Sequence, residues 1–397
     1  MATSAAASEF GGATAVPVGA VARAAVWPLW CALASSLAAA FGTHWDIAWH
    51  RSIGRDAFWS PPHVAIYASA VLGALAALAQ VLPATFGGGA ARTSAAVRVL
   101  GFRGPLGAFI CAWGGIAMLA SAPFDDWWHN AYGLDVKILS PPHMVLASGI
   151  LALHIGAAVM LAGAMNRSDG GRRRTLEALL LIVGGNTVVA LLEVFMEKTV
   201  RPFMHGGTFY VVVGAAVPVV LAAMGGGTGR RWAGTIAVAA YSLFLLALLW
   251  TFPLVPVQPR LGPVLVPTTS LVPPEFPLAL LPAAVALDAW LWRRRGAVGR
   301  GAGLATAAGG GLLFTAIFVA CQWPFASFLM SPHARNFFWG ARYFDFWLPP
   351  ESHYRSYTFF TEPSASLARA LGIAAFGATL SVAAGRGVGR WLARLRR

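Results

Sequence analysis

The sequence contains one short pattern twice, each time between two apolar segments. The first copy reads HWDIAWH over residues 44–50 and SPPH over 60–63, and the second reads DDWWH over 125–129 and SPPH over 140–143. In each copy an aspartate precedes a histidine by four residues, and Ser-Pro-Pro-His opens the next apolar run. The offset is 79 residues for the aspartates and 80 for the final histidines. This agreement predicts an internal repeat of one helical hairpin.

The spacing within each copy predicts a metal site. Residues four apart on a helix lie on the same face, so the aspartate and the following histidine can bind one ion. Serine favours the N-cap and proline the first turn, so the last histidine falls in the first turn of the next helix. Each ion would join the end of one helix to the start of the next. The predicted ligands are Asp46, His50 and His63, here the first triad, and Asp125, His129 and His143, the second triad.

The residue types do not decide which metal binds. Two histidines and one carboxylate suit copper, non-haem iron and zinc. A metal-free alternative is a hydrogen-bonded cluster at the membrane surface, where tryptophans also collect. Because two clusters share the same order and nearly the same spacing, we favour the metal sites.

The stretch 46–63 resembles the C subunit of the copper membrane monooxygenases, the particulate methane and ammonia monooxygenases. The first triad matches the Asp-x3-His-x12-His copper motif of that family. The second triad matches the spacing of its Asn-x3-His-x13-His motif, with an acid, Asp125, where the family has an amide. The resemblance covers roughly residues 25–165. It implies copper, O2-dependent oxidation of a small apolar substrate, and companion subunits.

The composition is that of a membrane protein. Of the 397 residues, 57% are hydrophobic and 11% are charged. Apolar runs of about 20 residues recur, and each is long enough to cross a bilayer. We therefore expect an all-α, polytopic helical membrane protein in contact with lipid, with about ten transmembrane helices. Their approximate bounds are 25–47, 61–83, 105–124, 141–165, 176–196, 207–225, 232–252, a segment ending at 293, 303–323 and 365–385.

The net charge of +14 comes from arginines clustered between apolar runs. Such clusters are typical of cytoplasmic loops rather than of nucleic-acid binding, so no nucleic-acid partner is expected. They follow each even-numbered span. This predicts cytoplasmic N- and C-termini, with both triads towards the outer side of a bacterial inner (plasma) membrane.

We expect three regions along the chain. Residues 1–24 form a disordered cytoplasmic tail, and residues 25–165 form a four-helix metal-binding region with the repeated hairpins. Residues 166–397 add six further spans and an outer loop at 324–363.

Several polar residues near the outer ends of the spans are candidates for extra ligands or for groups that orient the ligand imidazoles. An interfacial salt-bridge cluster with Lys198 and Arg201 is the alternative for those in the hairpin 193–205. The candidates are His44, Asp126, Glu193, Glu197 and His205.

Two functions fit these observations. One is an oxygenase, or a subunit of one, in which copper acts on O2 and the protein sets geometry and access. It would work with companion subunits or as a homo-oligomer. The other is a non-catalytic membrane protein that binds, senses or transfers copper or zinc. Whether the chain is an enzyme is left open by the sequence.

Overall fold

The computed structural model describes residues 26–54, 57–87, 97–133, 140–260, 268–297, 299–340, 359–360 and 362–395. The predicted N-terminal tail, and residues 341–358 and 361 of the predicted outer loop, lie outside these ranges. The helices within them are α1 (Trp27–Ser52), α2 (Pro61–Phe86), α3 (Leu106–Tyr132), α4 (Pro141–Asn166), α5 (Gly170–Val194), α6 (Met196–Thr199), α7 (Gly207–Thr228), α8 (Ala233–Thr251), α9 (Leu280–Arg293), α10 (Arg300–Leu329) and α11 (Ser364–Arg394).

Eight helices of the described part of the chain are long and apolar enough to cross a membrane: α2, α3, α4, α5, α7, α8, α10 and α11. The chain is therefore an all-α helical membrane protein. Helix α1 has 26 residues, but its second half carries the polar residues of the first triad. Helix α9 has 14 residues, or about 21 Å at 1.5 Å per residue, which is short for a hydrocarbon core of about 30 Å. The count of ten spans stays a prediction.

Glycines bring α3 and α4 together. A Cβ atom at Gly114 would lie 2.8 Å from the Gly149 carbonyl oxygen, and a Cβ atom at Gly149 would lie 2.8 Å from the Gly114 oxygen. Gly107 and Gly156 face each other in the same way, seven residues or about two turns from the first pair on each helix. Small residues at such positions let membrane helices approach backbone to backbone. This contact aligns the end of α3 with the start of α4.

The second half of the chain packs by the same means. A Cβ atom at Gly226 of α7 would lie 3.0 Å from Cα of Gly389 in α11. Asp288 of α9 is buried and accepts a hydrogen bond from the backbone N–H of Thr235 at 2.8 Å. The carboxylate thus accepts from a backbone N–H group in the first turn of α8, where such groups have no hydrogen-bond partner within the helix.

Two connections differ in detail from the sequence prediction. The loop before α3 contains a hairpin of β1 (Val97–Val99) and β2 (Phe102–Gly104), joined by Leu100 and Gly101 with φ of 48° and 88°. Positive φ at both central residues is the pattern of a type I′ hairpin turn. The outer loop begins later than predicted, because α10 continues to Leu329.

Candidate metal centre

The second triad joins the end of α3 to the start of α4. The Asp125 carboxylate lies between two imidazoles: Oδ2 is 3.5 Å from Nε2 of His129, and Oδ1 is 3.5 Å from Nε2 of His143. The three ligand atoms all lie within 4.8 Å of one another. The side chains are between 20% and 33% exposed, so the group is partly open to solvent.

The start of α4 positions His143 as the sequence predicted. Ser140 is the N-cap, and its Oγ accepts a hydrogen bond from the backbone N–H of His143 at 3.4 Å. Pro141 and Pro142 occupy the first helical positions, where a missing N–H is tolerated. The imidazole therefore leaves the helix in its first turn, facing the end of α3.

The end of α3 orients His129. Gly133 ends the helix with φ of 89°, and its N–H donates to the His129 carbonyl at 3.0 Å. The Gly133 carbonyl lies 3.3 Å from Nδ1 of His129. Because a carbonyl only accepts, this contact places a hydrogen on Nδ1, which in the neutral ring leaves the lone pair of Nε2 for a metal ion. A backbone carbonyl commonly fixes a metal-binding imidazole in this way.

The donor set and its spacing fit a metal ion. The separations of 3.5 Å from the carboxylate to each imidazole exceed an ordinary N–H···O hydrogen bond of about 2.9 Å. Two ligands about 2 Å from a shared ion are roughly 3.3 Å apart at the tetrahedral angle. One carboxylate and two imidazole nitrogens suit copper, iron or zinc. The partial negative charge at the C-terminus of α3 favours a cation here, and the Asp125 carboxylate offsets the opposing partial charge at the N-terminus of α4.

The first triad has the same order but a looser arrangement. Asp46 again lies between two imidazoles, with Oδ1 3.4 Å from Nε2 of His63 and Oδ2 3.7 Å from Nε2 of His50. The His50 side chain is 48% exposed. Among the described residues, the limit of 4.8 Å between all three ligand atoms is met by the second triad and not by the first. Ser60 is the N-cap of α2 but makes no capping bond through its side chain.

Two of the extra candidates, His44 and Glu193, pair with each other. Nδ1 of His44 lies 3.1 Å from Oε1 of Glu193, and both side chains are nearly buried. His44 and Asp46 are roughly 200° apart around the axis of α1, so the histidine points away from the first triad. The pair links α1 to α5 instead of completing a metal site.

The other three candidates have different surroundings. Asp126 is exposed, and its Oδ2 accepts a hydrogen bond from Asn130. Glu197 is exposed on α6. His205 stacks between Trp323 and Phe359 and donates through Nε2 to the Trp323 carbonyl at 2.9 Å. The stacking and the hydrogen bond hold the ring between its neighbours, so it acts as a packing element. Burial lowers the pKa of His205 more than that hydrogen bond raises it.

The sequence did not reveal a buried ionic cluster on another side of α1. Arg201 is 2% exposed and lies 3.7 Å, Nε to Oε2, from Glu275, whose Oε2 also accepts the Arg201 backbone N–H at 2.9 Å. Burial raises the pKa of Glu275, and Arg201 and Arg51 oppose that rise. Glu275 follows a proline-rich stretch with no helical periodicity, so no local pattern pointed to it.

The geometry thus separates the candidates into one compact triad, one looser triad and a group of residues that pair elsewhere. The resemblance to the copper membrane monooxygenases rests on the motif residues and stays a prediction. Comparison of the chain with protein-family models, with characterised proteins and with solved structures found no match.

Proposed function

We propose that the chain is a membrane metalloprotein that binds a transition-metal ion, copper by preference, at the second triad, with a further site at the first. One observation carries the proposal: ligand atoms from two helices converge within 4.8 Å at the second triad. The matched first triad supports it, because two copies of one arrangement in one chain are hard to explain by membrane-surface polarity alone.

The proposed reaction is O2-dependent oxidation of a small apolar substrate, with companion subunits or in a homo-oligomer. When bound, copper would supply the redox chemistry. The chain holds the ligands: Gly133 fixes the tautomer of His129, and the Asp125 carboxylate offsets the charge of the ion. Among the described residues the group has three protein ligands, and a partly exposed group of this kind can keep a coordination position open, as a catalytic site requires.

One observation favours a second candidate, a non-catalytic protein that binds or transfers copper or zinc. The ligands of the second triad lie at the end of α3 and the start of α4, and their side chains are between 20% and 33% exposed. Partly exposed ligands at helix ends also suit an ion that is exchanged rather than kept.

Elemental analysis of the purified protein tests metal binding. We expect a transition metal in the wild type, loss of the second-site metal in His129→Ala, and loss of the first-site metal in His50→Ala. His333→Ala is the matched control, since His333 is exposed and outside both triads. A folded wild type without transition metal, or a His129→Ala protein with full metal content, would contradict the proposal. O2 consumption with small apolar substrates then separates the oxygenase from the binder.

We also infer that the basic loops are cytoplasmic and the triads face outwards. The arginine clusters between spans support this orientation. In a background without native cysteines, Ala57→Cys should react with a membrane-impermeant maleimide added outside intact cells, and Arg172→Cys should not. Labelling of position 172 without labelling of position 57 would contradict this orientation and indicate the opposite one.

A further inference from the structure

Two short basic segments meet beside the start of α8 and the end of α9. Asp288 of α9 accepts hydrogen bonds from the backbone N–H groups of Gly234 and Thr235, at 3.3 Å and 2.8 Å. Further along the chain, the Arg295 guanidinium donates to the carbonyl of Gly229, just before α8. These contacts bring together the arginines of both segments, here called the basic cluster: Arg230, Arg231, Arg294 and Arg295.

Most of the charge on the basic cluster is not paired within the part of the chain that the structure describes. Glu177 forms an ion pair with Arg230. No ion pair between described residues involves Arg231, Arg294 or Arg295. Nε of Arg294 is buried and has no hydrogen-bond partner in the same part of the chain. Three uncompensated positive charges in two adjoining segments favour a ligand that carries a negative charge.

Tryptophan rings hold two guanidinium groups of the basic cluster. Cζ of Arg231 lies 4.5 Å from the ring centroid of Trp232, and Cζ of Arg295 lies 3.5 Å from that of Trp292. Both arginines are exposed. A guanidinium that lies over a ring keeps its N–H groups at its edge, where two of them can donate to the oxygens of a phosphate. The donors of the cluster therefore suit a phosphate group at the membrane surface.

An exposed apolar stripe on α9 ends at the basic cluster. Leu281, Val285 and Trp292 are 46%, 40% and 38% exposed, and at 100° per residue they lie within about 40° of one another around the helix axis. From Leu281 to Trp292 the stripe is about 17 Å long at 1.5 Å per residue. This length is close to the hydrocarbon thickness of one leaflet, which is half of about 30 Å. A free phosphate ion would leave the stripe uncovered, whereas an acyl chain would cover it.

We propose that the basic cluster and this stripe bind an anionic phospholipid, with its phosphate on Arg231 and Arg295 and an acyl chain along α9. The negative headgroup offsets the repulsion between the arginines and so holds the start of α8 against the end of α9. A zwitterionic lipid such as phosphatidylcholine brings a trimethylammonium group close to the same cations, so it is the weaker ligand. The site contains no residue of the two triads and is therefore tested independently of metal binding.

Native mass spectrometry of the full-length protein in detergent tests the site with phosphatidylglycerol as the probe. We expect saturable binding that is at least about tenfold tighter than that of phosphatidylcholine, and at least about tenfold tighter than that of glycerol phosphate, which lacks acyl chains. An arginine near an anionic lipid surface contributes a factor of about five to binding. Arg231→Gln should therefore weaken phosphatidylglycerol binding about fivefold, and Arg231→Gln combined with Arg295→Gln about 30-fold.

Arg98→Gln combined with Arg103→Gln is the matched control. It removes the same charge from two exposed arginines that face each other in β1 and β2, and it should bind phosphatidylglycerol like the wild type. Circular dichroism and size-exclusion chromatography check that each variant is folded, and the comparison of lipids on the wild type needs no variant. The proposal is wrong if the wild type shows no saturable phosphatidylglycerol binding, or if phosphatidylcholine or glycerol phosphate binds it as tightly. An equal loss of affinity in the control and in the cluster variant would also overturn it.

Discussion

Gly133→Ala tests how α3 orients the second triad. Gly133 has φ of 89° and ψ of −168°, a conformation that residues with a side chain rarely adopt. A Cβ atom there would meet nothing within 4 Å, so alanine is opposed by the backbone conformation and not by a clash. Holding alanine in this conformation would cost of order 1–3 kcal/mol. We expect the peptide to rotate and relieve that strain.

The rotation has a defined consequence for the metal. The Gly133 carbonyl, which accepts from Nδ1 of His129 at 3.3 Å, would turn away. Loss of a group that orients a ligand imidazole lowers metal affinity by about 10- to 100-fold, or about 1.4–2.7 kcal/mol. The affinity is measured by competition with a chromophoric copper chelator, and stability by thermal unfolding of the same samples.

Gly101→Ala is the matched control. Gly101 has φ of 88° and also has nothing within 4 Å of an added Cβ, but it lies in the turn between β1 and β2. Both variants should lose similar stability, and only Gly133→Ala should lose copper affinity. Wild-type affinity in Gly133→Ala would refute the role of the carbonyl. An equal loss of copper affinity in Gly101→Ala would mean that backbone strain far from the second triad also weakens metal binding.

Three further predictions concern packing and pH. Gly149→Leu should lower the free energy of unfolding by about 1–3 kcal/mol and deplete the second triad of metal, because the new side chain would collide with the Gly114 carbonyl. Gly171→Leu is the control and should have neither effect, since the space around Gly171 is open. Thermal unfolding and elemental analysis of both variants check this prediction. Asp288→Asn should lower the thermal stability by about 1–3 kcal/mol, because the buried carboxylate holds the N-terminus of α8; an unchanged Tm would contradict that role. Burial lowers the pKa of His205, so its contribution to stability is complete above its ordinary value of 6.5 and is lost as pH falls towards the lowered pKa. His205→Phe should therefore show a shallower loss of Tm on acidification than the wild type, and an identical slope would count against this assignment.

Local patterns predicted much of the fold and part of the site. The apolar runs located the eight helices that are long and apolar enough to cross a membrane, because segment length and hydrophobicity are properties of the segment itself. Ser140 and the prolines after it predicted the start of α4 and the position of His143, because capping depends on neighbours in sequence. The four-residue spacing of Asp125 and His129 predicted a shared helix face for the same reason.

Tertiary packing decided the rest. The two triads have nearly the same spacing, yet only the second brings its ligand atoms within 4.8 Å among the described residues, because the distance depends on how closely two helices approach. Glycines in α3 and α4 set that approach, and the sequence did not single them out. Arg201 and Glu275 lie 74 residues apart, and Glu193 meets His44 across two helices. No local rule pairs such residues, because the side of each helix that faces its neighbour is decided by packing of the whole bundle.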